Sequence, residues 1–222
     1  MFDHVHPYEP FLFPGATRLI VGTLPPPRFT TGELKPGDVD FCYGSRDGQL
    51  WPILDRIFSL ELAYENTAHA IAQRQHFLRK RKIGICDIVG RARRLKIDAS
   101  DLGMEQIELR DLLGVLEEYP SIHTLLFTGG NSKNGPEYLF RRLLKDNGMA
   151  LEAESAEVPR IHRFKLESPK GPARQIRTVS LTAPSGSANR AVGSLQAYKD
   201  RKARDAAYTT LDFRIEQYRA HF

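Results

Sequence analysis

The stretch "RLIVGTLPPPRF", residues 18–29, decides how the rest of the chain is read. Apolar Leu19, Ile20 and Val21 run into Gly22 and Thr23, and the chain then meets three consecutive prolines. A short apolar run without polar alternation marks a strand buried on both faces, as inside a parallel sheet. Proline has no N–H to give a neighbouring strand, so the strand stops where the prolines begin. The result is a rigid, donor-poor rim at a strand's carboxyl end.

The same pattern recurs downstream. "HTLLFTGG", residues 123–130, reads as a second buried strand closing on Gly-Gly, and "QIRTVSLTAPSGSANR", residues 175–190, as a strand over 175–181 running into a Ser/Gly-rich loop. Helices are expected between them. "GQLWPILDRIFSLEL", residues 48–62, has helical spacing through Leu50, Ile53, Leu54, Ile57 and Phe58, with Asp47 as N-cap and Trp51 on the inner face. Asn66 or Thr67 caps a helix over residues 68–80, and residues 109–120 are amphipathic up to Pro120. Residues 135–148 place a proline near the start and Gly148 after the end of another helix. "KIGICDIV", residues 82–89, is a short turn or strand, and residues 90–101 a basic loop.

Residues 1–16 read as an irregular lead, residues 24–47 as a long loop of the kind that carries function, and residues 194–222 as a helical extension bent near Thr209 and Thr210. Together these predict one domain over residues 1–222: a three-layer α/β/α fold with a central, mainly parallel sheet. In such sheets ligands bind outside the carboxyl ends of the strands. "GTLPPP", "FTGGNS" and "APSGSANR" all fall there.

Composition bounds the function. With 41% apolar and 27% charged residues among 222, the chain suits a globular domain. No segment approaches the roughly 20 apolar residues of a membrane span, and the proline-broken start lacks the features of a signal peptide. Cys42 and Cys86 are too few for a four-ligand metal or cluster site and suit a reducing cytoplasm. Net charge is +5, and residues 74–96 hold nine basic side chains against one acid, Asp87: a solvated helix face or a phosphate-tracking patch.

Several chemistries are absent. "GTLPPP" has neither the glycines of a dinucleotide fingerprint nor the Gly-Lys-Ser/Thr of a P-loop. "APSGSA" has proline where a nucleophile elbow needs glycine. No zinc spacing joins the histidines: His4 and His6 sit in the lead, and His69 and His76 on a helix. "FCYGSRDGQLW", residues 41–51, is more informative. Tyr43 offers a surface for a planar ring, and Ser45 and Asp47 could bind or activate a small molecule. Asp47 has the alternative role of helix cap.

Taken in order, "GTLPPP", "FCYGSRDGQLWPIL", "GICDIVGRARR" and "LTAPSGSANR" resemble the uracil-DNA glycosylase superfamily, nearest its mismatch-specific and hypoxanthine-type branches. The resemblance spans about residues 18–190. It implies that Gly22, Thr23, Leu24 and Pro25 face the target base, with Ser45 nearby and Tyr43 stacking on the flipped ring. It implies that Pro184, Ser185, Gly186, Ser187, Asn189 and Arg190 press on the DNA backbone, with Arg91, Arg93 and Arg94 meeting phosphates. Two departures stand out: Leu24 replaces the Asp or Asn many relatives place there, and Gly48 the Asn of other branches. Asp47, beside Gly48, is the candidate water-activating acid, with Asp87 in reserve.

The implied activity is hydrolysis of the N-glycosidic bond of a deaminated base, uracil or hypoxanthine, in DNA, by a cytoplasmic monomer without metal or cofactor. The alternatives are a non-catalytic DNA- or nucleotide-binding relative and an unrelated hydrolase using the "APSGSA" serines.

Overall fold

The computed structural model describes residues 1–98, 100–168 and 171–222. Its first element corrects the expectation of an irregular lead: β1 (Phe2–Val5) is a strand. The opening stretch forms β2 (Arg18–Val21), and its prolines start a short helix, α1 (Pro27–Thr31), with Pro27 at the first helical position, where a missing N–H costs nothing. α2 (Leu50–Phe58) and α3 (Ala68–Arg81) follow. Of the two cap candidates, Thr67 rather than Asn66 caps α3, its side chain accepting the Ala70 N–H. Asp47 does not cap α2. Gln49 holds that position without a side-chain hydrogen bond.

β3 (Ile83–Ile85) leads into β4 (Val89–Arg94) and β5 (Met104–Leu109), so the expected basic loop is largely a strand and a turn; Ala99 lies outside the described residues. Then come α4 (Leu112–Glu118), β6 (Thr124–Phe127) and α5 (Pro136–Asp146). β7 (Glu152–Ser155) and β8 (Arg160–Ser168) were not read from the sequence, while β9 (Gly171–Ser180) begins four residues before the strand expected over 175–181. The C-terminal extension is three helices rather than one bent one: α6 (Asn189–Ser194), α7 (Gln196–Arg204) and α8 (Thr210–Arg219). The break before α8 falls where a bend was expected, because Thr209 and Asp212 form a reciprocal capping box.

The main sheet has the order β3-β2-β6-β9-β8-β7. Its first four strands are parallel, and β8 and β7 add antiparallel. A second, antiparallel sheet, β1-β4-β5, stands apart from it.

Burial separates the layers residue by residue. Leu19 and Val21 of β2 join Leu125 and Phe127 of β6 in a core covered by α4 and α5. Ile20 and Leu126, one residue out of phase, join a second core with Trp51 of α2, Phe77 of α3 and Tyr218 of α8. A strand whose alternate residues enter two cores is apolar throughout, which is why the opening stretch shows no alternation. The three-layer α/β/α architecture with a mainly parallel central sheet is the one found. No helix among the described residues is long and apolar enough to cross a membrane.

Candidate active site

Because β3, β2, β6 and β9 run parallel, their carboxyl ends share one edge. A cleft of about 620 Å³ opens there, within the range of small-molecule sites. Thr23, Leu24 and Pro25 after β2, Tyr43, Ser45 and Asp47 before α2, and Pro184, Ser185, Gly186 and Ser187 after β9 all line it. The loops are also joined: Gly48 and Ser185 form a β-bridge, and the Gln49 N–H donates to Pro184 O at 2.8 Å.

Asp87, directly beyond β3, ties the floor together. Its Oδ1 accepts the Gly22 N–H at 2.7 Å and the Tyr43 hydroxyl at 2.6 Å; its Oδ2 faces His6 Nε2 at 3.0 Å. His6 Nδ1 accepts the Tyr8 N–H at 3.2 Å, which places the ring proton on Nε2, directed at Asp87. Burial, then the neighbouring Asp87 charge, pushes the Tyr43 phenol well above its usual range, so it remains a donor. Thr128, at the end of β6, lies 3.2 Å from the same hydroxyl.

This crowding explains Gly22. A Cβ there would run into the Tyr43 hydroxyl and lie 2.9 Å from both Asp87 Oδ1 and Thr128 Oγ1. Tyr43 itself is left-handed at φ 59°, which costs a non-glycine residue about 1–2 kcal/mol. Its anchored hydroxyl and the buried Trp51, whose Nε1 donates to Cys42 O at 2.9 Å, hold the loop in that shape.

Arg28 organises the loop's outer part. Its guanidinium grips buried Asp38 through Nε at 2.7 Å and Nη2 at 2.9 Å, and Nη2 also reaches Ser45 Oγ at 2.8 Å and Asp47 Oδ2 at 3.2 Å. Against the upward pull of burial, Arg28 and the N–H groups of Arg46 and Lys35 hold Asp38 at about 2. Asp47 is thus at the mouth of the cleft, 68% exposed and paired with a cation.

A second acid lies in the wall. Asp101, between β4 and β5, lines the cleft and accepts the Thr23 hydroxyl at 2.7 Å. Burial pushes its carboxyl up to about 6; Asp87 adds to the rise, while Thr23 and Arg94 oppose it.

The third loop is held from behind by α8. Buried Arg214 donates to Ala183 O at 2.9 Å, Ser185 O at 3.0 Å, Gln49 Oε1 at 3.0 Å and Asn189 Oδ1 at 2.9 Å. Asn189 is therefore turned toward Arg214 and Thr210 and does not line the cleft, while Arg190 beside it is exposed.

The arginines of β4 divide by strand alternation. Arg91 makes a forked pair with Asp3 at 2.7 and 2.6 Å, and Arg93 is exposed. Arg94 is 1% exposed, donating to His4 Nδ1 at 2.7 Å and Ser100 O at 2.5 Å, so it has no surface for a phosphate. Burial and Arg94 hold His4 down at about 4, so it remains the neutral acceptor that this contact needs. His4 and His6, expected in a loose lead, are both buried. His69 and His76 are on the surface.

Asp101, Thr128, Arg28 and Arg214 were missed as site residues, and Asp87 was held only in reserve. The legible signals were an acid inside apolar "ICDIV" and a hydroxyl ending "LLFT". Nothing local marks Asp101 or Arg214, whose partners are distant in sequence. Among the described residues, no group of three His, Cys, Asp or Glu side chains is placed to hold a metal ion.

An open α/β sheet sends loops from four parallel strand ends, with three acids, into one cleft, at the edge where domains of this architecture hold their ligands. The same fold occurs in a candidate uracil DNA glycosylase from Methanosarcina acetivorans, solved in solution by NMR, with a TM-score of 0.54 and 16% identity over 99% of this chain and 100% of that one. No protein-family model matches the chain, and no curated protein matches it with significance.

Proposed function

We propose that the protein is a DNA glycosylase that hydrolyses the N-glycosidic bond of a deaminated base, uracil or hypoxanthine, extruded into the cleft. The observation that carries this is the meeting of the Thr23–Leu24–Pro25, Tyr43–Ser45 and Pro184–Ser187 stretches around one cavity whose wall holds a carboxyl group. The fold shared with a candidate uracil DNA glycosylase supports the substrate class.

A base inside a duplex hides its C1′ atom, so the nucleotide must leave the stack, at a few kcal/mol. As the C1′–N bond lengthens, the sugar gains positive charge and the base negative charge. With prolines at residues 25–27, Thr23 and Leu24 supply the N–H donors this rim retains for the leaving base. Tyr43 is held beside the base by its hydroxyl contact to Asp87.

Water must then be oriented and deprotonated, work for a carboxylate whose affinity for protons is raised. Asp101 has that property within the cleft wall, whereas Asp47 is exposed and paired with Arg28 at the mouth. Asp101 is therefore the water-activating acid, with Asp47 at the rim. Oligonucleotides carrying uracil or hypoxanthine, single-stranded and duplex, are incubated with the protein and probed for alkali-labile abasic sites. Excision supports the proposal; intact strands with every substrate overturn it. Leu24, where many members of the resembling family carry Asp or Asn, favours a second reading, a non-catalytic binding relative. Tight binding without cleavage is its signature.

A further inference from the structure

Arg74 of α3 is a buried cation without an acid. Its exposure is 0%, and none of the ion pairs among the described residues includes it. Asp55, whose charge acts on it, is engaged elsewhere: Oδ1 accepts the Leu60 N–H and Oδ2 the Tyr64 hydroxyl, both at 3.1 Å. A guanidinium taken out of water without a partner is strongly destabilising, and burial accordingly pulls its proton affinity down.

Half of the fork is satisfied. Nη1 donates to Ala70 O at 2.7 Å and Ala63 O at 2.9 Å, and the guanidinium carbon lies 5.3 Å from the Trp51 ring and 5.2 Å from the Tyr64 ring. The other edge is not. Buried Nε has no hydrogen-bond partner, and Nη2 makes no hydrogen bond among the described residues. These two groups form one side of the guanidinium fork, a ready pair of donors for an anion.

A second cavity adjoins Arg74, separate from the cleft and much smaller, at about 30 Å³. Trp51, Pro52 and Tyr64 wall it, and a second cation, exposed Arg46, lines it as well. No Asp or Glu does. The space admits one or two water-sized spheres. A phosphate or carboxylate would press unmatched oxygens against the rings and Pro52, whereas a spherical ion is satisfied by donors on one side and by the positive edges of aromatic rings. We propose that this cavity is a halide site, in which one chloride ion sits on the Nε–Nη2 edge of Arg74.

The position gives the ion a consequence. Tyr43, Gly44, Ser45 and Gly48 line both this cavity and the cleft, so a bound ion supports the loop from behind. The inference stands apart from the chemistry of the cleft.

The test compares the thermal midpoint of the whole protein in sodium chloride and in sodium gluconate at equal ionic strength, gluconate being too large for the cavity. The wild-type midpoint is expected to rise with chloride and saturate, by about 3 °C or more, with bromide acting alike. Arg74→Met, which keeps an unbranched stem, loses the difference between the two salts. Crystals of the wild type grown with bromide are expected to show an anomalous peak within hydrogen-bonding reach of Arg74 Nε, a readout that needs no variant to fold. Equal midpoints in both salts, a chloride effect retained by folded Arg74→Met, or bromide absent from Arg74 overturns the halide site. None of these outcomes depends on whether the protein excises a base.

Discussion

The Tyr43 hydroxyl lies 2.6 Å from Asp87 Oδ1, the same oxygen that accepts the Gly22 N–H at 2.7 Å. One carboxylate oxygen thus joins the proline-rimmed strand end to the aromatic loop, although these segments are far from it in sequence. That contact holds Tyr43 in the cleft against a backbone in the left-handed region.

Removing that oxygen strands several donors at once. Asp87→Ala is expected to cost about 3 kcal/mol, since the Gly22 N–H, the Tyr43 hydroxyl and His6 Nε2 lose their acceptor. Tyr43→Phe is expected to cost about 1 kcal/mol. A double-mutant cycle in urea should show coupling of about 0.5 kcal/mol or more, and strict additivity would separate the two residues.

Asp101 links pH to rate. With its carboxyl raised to about 6, it is protonated below that pH and becomes a base above it, so excision should rise through pH 6 and level off. The same shift means that the folded chain holds this proton more tightly than the unfolded chain does, so ionised Asp101 opposes folding at neutral pH. Asp101→Asn should therefore remove the limb and lower the rate about 10²-fold, with stability at pH 7 unchanged or improved. A purely structural Asp101 would give the reverse pattern.

Gly22 has no room for a side chain. Gly22→Ala should cost about 1–3 kcal/mol by overpacking against Thr128 and Asp87. It should also displace the Tyr43 hydroxyl, read as a changed near-ultraviolet tyrosine signal.

Arg214 should behave as a positioning residue. Arg214→Ala leaves the carbonyl groups of Ala183 and Ser185 without their donor and is expected to cost about 3 kcal/mol, with faster proteolysis near residues 183–189. Lysine should not rescue it, because one ammonium cannot reproduce the spread of the guanidinium fork.

The strand alternation of β4 separates its arginines in solution. Arg93→Glu should weaken DNA binding and flatten the salt slope by roughly 0.9, without loss of stability. Arg94→Glu should lower the thermal midpoint instead, since it places an acid in the buried site beside His4 and Ser100.

How much was legible follows from the range of the forces. The apolar run at Leu19, Ile20 and Val21, the capping threonine at Thr67 and the proline start of α5 are local signals, and each lies where it was read. β7 and β8 are rich in charged residues and lie toward the antiparallel edge of the sheet, so neither strand offered an apolar run to read.

By itself the sequence determined the layered α/β frame and the strand-end edge at which the cleft opens, because hydrophobic period and turn chemistry act within a few residues. Only the tertiary structure decided which acids share the cleft. It drew Asp101 into the wall through Thr23, set Asp47 at the mouth against Arg28, turned Arg94 inward and brought Arg214 of the last helix behind the third loop. Those outcomes are fixed by burial and by hydrogen bonds between distant segments, and a carboxylate's proton affinity depends on that enclosure.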